Sequence, residues 1–359
     1  MARASATQEF EALPEADCLE GFPHPRETRV LYGHQSAERV FADAFGGGRM
    51  HHAWLLAGRE GIGKATLAYR VARYVLARPD EHGGDSNPLD VPEQSSAARQ
   101  VRALSHPGLL VLRRPYDSKS KRFGSIIPVD EVRRLKSFIG LTAGEETWRA
   151  VIVDTADELN INAANALLKT LEEPPGRVLF LLVSSEPSGL LPTIRSRCRR
   201  LDLQPLSPEA LRMAAEAALA NAEVDAPSAN EWDELARLSG GSVRRTLQLV
   251  ASGGLDLQKR VAVILKGLPK LDWVAAHNLA DSVAGAAQEQ RFEVLFNLLL
   301  EGIAQTARGR GDRAMPYWAE VWQAVLRDKA EAEELNLDRK ALILRTFERL
   351  AAVSSRPVQ

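Results

Sequence analysis

Short unbroken apolar runs alternate with helically spaced apolar positions over the first two hundred residues. Ala53–Ala57 (AWLLA) is closed by Gly58 and reads as a buried strand. Leu109–Leu112, Val151–Val153 and Val178–Val183 are further runs of strand length. Between them, apolar residues recur at helical spacing over 35–46, Thr66–Leu76 (Leu67, Tyr69, Val71, Tyr74, Val75), 129–140 and 161–172. Strands alternating with helices predict an α/β domain with a parallel sheet covered on both faces. The stretch 79–96, rich in Pro, Gly, Asp and Ser, reads as a surface loop.

The texture changes near Pro205. From Ser207 onward the pattern predicts helices only. Ser207-Pro208-Glu209 supplies an N-cap, a proline at the first helical position and an acidic first turn. Helical patterns follow at 208–221, 230–239 and 242–251, with Ser252-Gly253-Gly254 as a linker. Five more amphipathic segments run over 256–267, 271–284, 288–305, 316–332 and 338–353. The organisation read from this is a flexible polar arm (1–25), an α/β domain (26–204), a small helical domain (205–254) and a helical C-terminal domain (255–359).

Composition agrees with a multi-domain globular chain. It has 359 residues, 45% hydrophobic and 26% charged, which excludes wholesale disorder. Two cysteines, Cys18 and Cys198, are too few for a disulfide framework or a four-thiolate zinc site. A net charge of -1 gives no global basic field, so nucleic-acid contact would have to come from a local patch. No apolar run approaches the roughly 20 residues of a membrane span, and the first twenty residues lack the apolar core of a secretory signal. The expected location is the cytoplasm.

The sharpest chemical signal follows the first strand. Gly58-Arg-Glu-Gly61-Ile-Gly63-Lys64-Ala65-Thr66 carries a G-x-x-x-x-G-K core at the entry to a helix. Glycines let backbone N–H groups curl around phosphate oxygens, the helix N-terminus adds a positive dipole, and Lys64 would reach the β- and γ-phosphates. Ala65 stands where a Ser or Thr would hold Mg²⁺. Thr66 is one position late and turned about 100° away on a helix. The run Arg149-Ala-Val-Ile-Val-Asp154 then brings a carboxylate to a strand end, where it would hold the metal's water shell. Thr155 follows it, and a hydroxyl is not a general base near neutral pH. Asp157 and Glu158 read as a solvated turn.

With the loop upstream, Asn162–Pro175 (NAANALLKTLEEPP) and Ser196-Arg197-Cys198 resemble signatures of the bacterial clamp-loader family, the γ/τ and delta-prime subunits of DNA polymerase III. The motifs cover about 30–250; beyond 255 the resemblance is one of helical texture. It implies an AAA+ P-loop domain, a helical lid at 205–254 and an oligomerising collar at 255–359. Ala65 and Thr155 favour the delta-prime branch, a stator with weak or absent hydrolysis against which ATP-driven subunits work. Two alternatives stay open: a hydrolytically active γ-like motor, and a nucleotide-independent scaffold with a vestigial loop. The implied partners are γ/τ and δ subunits in a hetero-oligomeric ring, the sliding clamp and primer-template DNA, with no membrane. The implied cofactor is ATP or ADP with Mg²⁺, weakly bound or not hydrolysed. Relatives carry a four-cysteine zinc module after the P-loop helix; 79–106 has no cysteine here, so no zinc is expected.

The resemblance also assigns roles to single residues. Arg197 would act as an arginine finger in a neighbouring subunit's ATP site, where a guanidinium stabilises charge on the γ-phosphate. Gly58, Gly61, Gly63, Lys64, Thr66, Asp154 and Arg244 form the expected nucleotide set, with Arg244 in the sensor-2 position of Gly241–Leu247. Ser184 and Ser185 would be the polar sensor. Read from the residues alone, Cys198 is a packing residue, and Arg195, Arg199 and Arg200 are a solvated basic face or a contact surface. The segment Arg113–Lys136, with eight basic and three acidic residues, is a solvated loop or a phosphate-backbone contact. Trp232, Trp273, Trp318 and Trp322 read as helix-packing anchors.

Overall fold

The computed structural model describes residues 14–83, 88–140, 147–285, 288–309 and 314–355. It divides into two compact units, one of residues 1–226 with 239–244, the other of 227–238 with 245–359. The segment 205–254 is thus shared between the two units. The first part of the N-terminal arm, 1–13, lies outside the described residues.

In the first unit the chain runs α1 (Gln35–Gly46), β1 (Ala53–Ala57), α2 (Lys64–Leu76), α3 (Ser96–Arg102), β2 (Leu109–Leu112), β3 (Tyr116–Asp117), β4 (Arg122–Phe123) and α4 (Val129–Gly140). It continues through β5 (Arg149–Val153), α5 (Ile161–Glu172), β6 (Val178–Ser184), α6 (Pro192–Arg195), β7 (Arg199–Asp202) and α7 (Pro208–Asn221). Five strands form a parallel sheet in the order β2-β5-β6-β1-β7, while β3 and β4 make a separate hairpin. Every residue of the central strands β1 and β6 is buried. Alternation decides which layer each one joins. Trp54 and Leu56 of β1, with Ile152, Leu179 and Leu181, pack on the side of α1 and α2. Ala53 and Leu55, with Val151, Val153, Phe180 and Leu182, pack on the side of α4 and α5.

Four elements were not visible in the hydrophobic pattern: α3, the β3–β4 hairpin, α6 and β7. Strand β7 reads Arg-Arg-Leu-Asp and is mostly exposed. It lies at the sheet edge beside β1, where charged residues discourage further pairing, so an apolar-run criterion misses it. Arg199 and Arg200 therefore belong to an edge strand. The Arg199 guanidinium lies 4.7 Å from the Trp54 ring centroid and Arg200 pairs with Asp202 at 2.7 Å.

Helices α8 (Ala229–Ser239) and α9 (Val243–Ala251) follow, and the second unit continues with α10 (Gly254–Gly267), α11 (Trp273–Asp281), α12 (Glu289–Gly309), α13 (Met315–Glu334) and α14 (Arg339–Ser354). Helix α12 packs on α10 and α13, and α14 on α13 and α11, around Leu295, Phe296, Leu299, Ile343 and Phe347. Trp232 and Trp318 are buried, but Trp273 and Trp322 are exposed at 48% and 39%. The reading of all four tryptophans as packing anchors is corrected for these two: their helices turn them outward.

Candidate phosphate loop and arginine site

The loop between β1 and α2 is built by glycine. Gly58, Gly61 and Gly63 all have positive φ (146°, 75° and 107°), where a side chain would be strained. A Cβ on Gly61 would also lie 2.3 Å from Ser242 Oγ and 2.5 Å from Arg244 Cβ. Ile62 is buried and anchors the turn. Buried His34 adds a hydrogen bond of 2.8 Å between Nε2 and the Ile62 carbonyl. Burial lowers the His34 pKa, against the raising effect of that bond, so the neutral ring donates.

Lys64 is turned into its own loop. Its Nζ donates to the Gly58 carbonyl at 2.8 Å, the Arg59 carbonyl at 2.6 Å and Ser185 Oγ at 3.1 Å. These three acceptors use the three N–H donors of an ammonium. Burial brings its pKa down to about 8, although Asp154, Glu60 and Asp157 favour the charge. Asp154, at the end of β5, is pushed up to about 7 by burial and by Asp17, against the pull of Lys64. Thr155 Oγ1 donates to Asp154 Oδ1 at 3.5 Å.

Asp157 corrects the reading of a solvated turn. Its carboxylate accepts from Ser184 Oγ at 2.5 Å, from the Ser185 N–H at 2.6 Å and from the Glu186 N–H at 3.1 Å. It thereby sets the turn after β6 and aims Ser185 at Lys64. Ser184 is fully buried. Arg244 stands at the loop: the Val243 and Arg244 N–H groups donate to the Gly61 carbonyl at 2.9 and 3.3 Å, and Arg244 Nε is 3.4 Å from Glu60 Oε1. Thr66, half-buried on α2, makes no side-chain hydrogen bond among the described residues.

Arg197 lies elsewhere in this unit, just past α6. Its Nη1 donates to the Thr193 carbonyl at 3.0 Å and approaches Ser196 Oγ at 3.4 Å, while Nη2 pairs with Glu172 Oε1 at 2.7 Å. None of these partners belongs to the phosphate-loop group. Cys198 packs on the α4–α5 core layer, and burial pushes its thiol up to about 12. It is a packing thiol, as read from the sequence.

Four of the eight basic side chains in the run Arg113–Lys136 are ion-paired. Arg114 pairs with Glu158 at 2.8 Å, Arg133 with Asp130 at 2.5 Å and Arg134 with Glu131 at 2.6 Å. Arg113 joins a knot formed by the end of the N-terminal arm. It contacts Glu15 Oε2 at 2.5 Å and Asp17 Oδ1 at 3.0 Å, and Arg26 also pairs with Glu15. His24 Nε2 is 2.9 Å from both carboxylates, and Tyr69 Oη donates to Asp17 at 3.2 Å. Burial works against the Asp17 charge, yet His24 and Arg113 hold its pKa down at about 2. Glu15, Asp17 and His24 are the one grouping of possible metal donors among the described residues, but two guanidiniums already neutralise its carboxylates.

A parallel sheet in this strand order, with a glycine-rich phosphate loop after its first strand and an acidic residue ending β5, defines a P-loop domain of the AAA+ type. A family model described as DNA polymerase III, delta subunit, matches residues 33–207. DNA polymerase III subunit delta-prime of Pseudomonas aeruginosa is 37% identical over 240 residues, covering 66% of this chain and 67% of that protein. The tau subunit of Salmonella typhimurium is 29% identical over 283 residues, 78% of this chain but only 41% of tau. A solved gamma subunit-related protein of Thermotoga maritima aligns over 89% of this chain and 98% of its own, with 17% identity and a TM-score of 0.45. The chain belongs to the delta-prime family of DNA polymerase III clamp-loader subunits, with gamma and tau as relatives.

Proposed function

We propose that this chain acts as a delta-prime-type stator of a clamp loader. It supports ATP-dependent loading of a sliding clamp onto primed DNA and lends Arg197 to a neighbouring ATP site. The observation that carries this reading is a contrast between two cationic side chains. Lys64 is buried and spends its donors on its own loop and on Ser185, whereas Arg197 keeps about a third of its side chain open to solvent. The first is poorly disposed to drive hydrolysis in this chain. The second, although restrained by Thr193 and Glu172, lies at the surface where phosphate oxygens from outside can reach it.

The residues fit a phosphate better than a metal. The N–H groups of the loop and the N-terminus of α2 can cradle phosphate oxygens. For Mg²⁺, Asp154 remains, but Ala65 offers no oxygen, and Thr155 offers no base. ATP or ADP with Mg²⁺ would therefore be bound weakly and turned over slowly, and no zinc is expected. The proposed partners are the γ/τ and δ subunits, joined through the C-terminal helices as a collar, with the clamp and primer-template DNA met through the assembled ring. A cytoplasmic location goes with this role; no helix among the described residues is long and apolar enough to cross a membrane.

Two assays test the reading. ATP hydrolysis by the chain alone should not exceed that of Lys64→Ala, with or without primed DNA. In the assembled loader, Arg197→Ala should reduce turnover about 10³-fold at a site that depends on it, with assembly intact. Clear Lys64-dependent turnover by the chain alone would favour the motor alternative instead. Unchanged loader turnover in Arg197→Ala would remove the finger.

A further inference from the structure

The LEEPP motif (Leu171–Pro175) and the Ser-Arg-Cys triplet (Ser196–Cys198) are separated by twenty residues that include β6 and α6, yet they meet at one ion pair. We infer that Glu172 is the positioning residue for Arg197, holding the guanidinium ready for a neighbouring subunit's nucleotide phosphate. This inference rests on the finger reading of Arg197.

The Arg197 backbone is already fixed. Pro192 starts α6, Ile194 is fully buried beneath it, and the Arg197 N–H donates to the Ile194 carbonyl at 3.1 Å. Only the long side chain remains to be ordered, and an arginine loses much rotamer freedom when it is. Glu172 Oε1 takes Nη2 at 2.7 Å and the Thr193 carbonyl takes Nη1 at 3.0 Å. One hydrogen bond, to the Thr193 carbonyl, and one ion pair, to Glu172, thus restrain the guanidinium from two different elements before any phosphate arrives. Nε has no hydrogen-bond partner among the described residues and remains a free donor.

The placement of Glu172 argues against a merely local role. It is the last residue of α5, where the exposed carbonyls make the helix end negative and a carboxylate is unfavourable. A residue chosen for helix stability would be a Lys or Arg. Here the unfavourable charge is offset by Arg197, as expected where a local rule is broken at a functional site. Both side chains are partly exposed, 36% for Arg197 and 43% for Glu172. Such a pair adds little to folding but can still orient a side chain.

The test uses the assembled loader with its clamp, primed DNA and ATP. Glu172→Ala should lower kcat for ATP hydrolysis about fivefold to tenfold, because a misplaced catalytic group loses its alignment. KM for ATP should stay within about twofold, since the loss is confined to the transition state. Glu172→Gln keeps an oxygen acceptor and should recover most of the rate. Adding Glu172→Ala to Arg197→Ala should cost nothing further, because the two act as one unit. Wild-type or raised kcat in Glu172→Ala, or a further loss in the double variant, would overturn the inference while a slow Arg197→Ala leaves the finger standing. If Arg197→Ala itself turns over normally, the finger reading fails, and this inference falls with it. Native mass and melting temperature of each assembled variant separate these results from failed folding.

Discussion

The carboxylate of Asp157 accepts a hydrogen bond of 2.5 Å from the fully buried hydroxyl of Ser184, twenty-seven residues further along the chain. Its other oxygen takes two backbone N–H groups, at Ser185 and Glu186. Asp157→Ala leaves the hydroxyl and the Ser185 N–H without an acceptor. The expected loss is about 2–3 kcal/mol of stability, read from urea unfolding. Asp157→Asn keeps one good acceptor and should lose about half as much.

The stability of the chain should depend on pH through Asp154. Its folded pKa is about 7, against about 3.9 in an unfolded chain. Between those values the folded state holds the proton that the unfolded state releases. Stability therefore falls as pH rises from about 4 to 7, and the cost stays in place above that. Asp154→Asn removes this slope. The variant should match the native chain below about pH 4 and exceed it by about 2–4 kcal/mol at pH 8.

Lys64 acts in a separate window. Its folded pKa is about 8, against about 10.4 unfolded, so the unfolded state binds more protons between the two. Stability should rise again as pH climbs from about 8 towards 10. In Lys64→Met this alkaline rise should disappear from the unfolding profile.

If the phosphate loop lacks only its metal hydroxyl, Ala65→Thr should restore part of the binding. Titration calorimetry with ADP should show affinity about tenfold tighter in Mg²⁺, equivalent to about 1.4 kcal/mol. In EDTA the variant and the native chain should match. Equal gains in both conditions would mean that the hydroxyl helps by some route other than the metal.

The segment after α2 is stapled by Glu81 and by ring stacking. Glu81 Oε1 accepts from the Ser96 N–H at 2.7 Å and the Ala97 N–H at 3.4 Å, and Oε2 accepts from Arg78 N–H at 3.0 Å. Tyr74 and His82 stack with centroids 4.2 Å apart. Glu81→Ala should cost about 1–2 kcal/mol at pH 7. The Arg78 backbone bond, ahead of an opposing burial effect, keeps the folded pKa below the ordinary value. The contribution is present above about pH 4.3, the unfolded value, and is lost as pH falls through the folded one. EDTA should leave the melting temperature unchanged.

Local pattern carried a large part of this protein. The apolar runs at 53–57 and 178–183 had to be central strands, because only a sheet covered on both faces buries every residue of such a run. G-x-x-x-x-G-K specified a phosphate loop because its glycines permit positive φ beside a helix start. The helices beyond Ser207 were legible from caps and spacing. What tertiary structure alone decided is which polar groups meet. Lys64 finds Ser185 across 121 residues, Arg113 is neutralised by the arm at Glu15 and Asp17, and Arg197 is held by Glu172. Strand β7 exists because β1 offers a free edge, not because its own residues are apolar. Backbone preference and burial pattern act over a few residues and leave their period in the sequence. An ion pair or a shared hydrogen bond depends on where the topology brings two distant side chains, and it leaves no period to read.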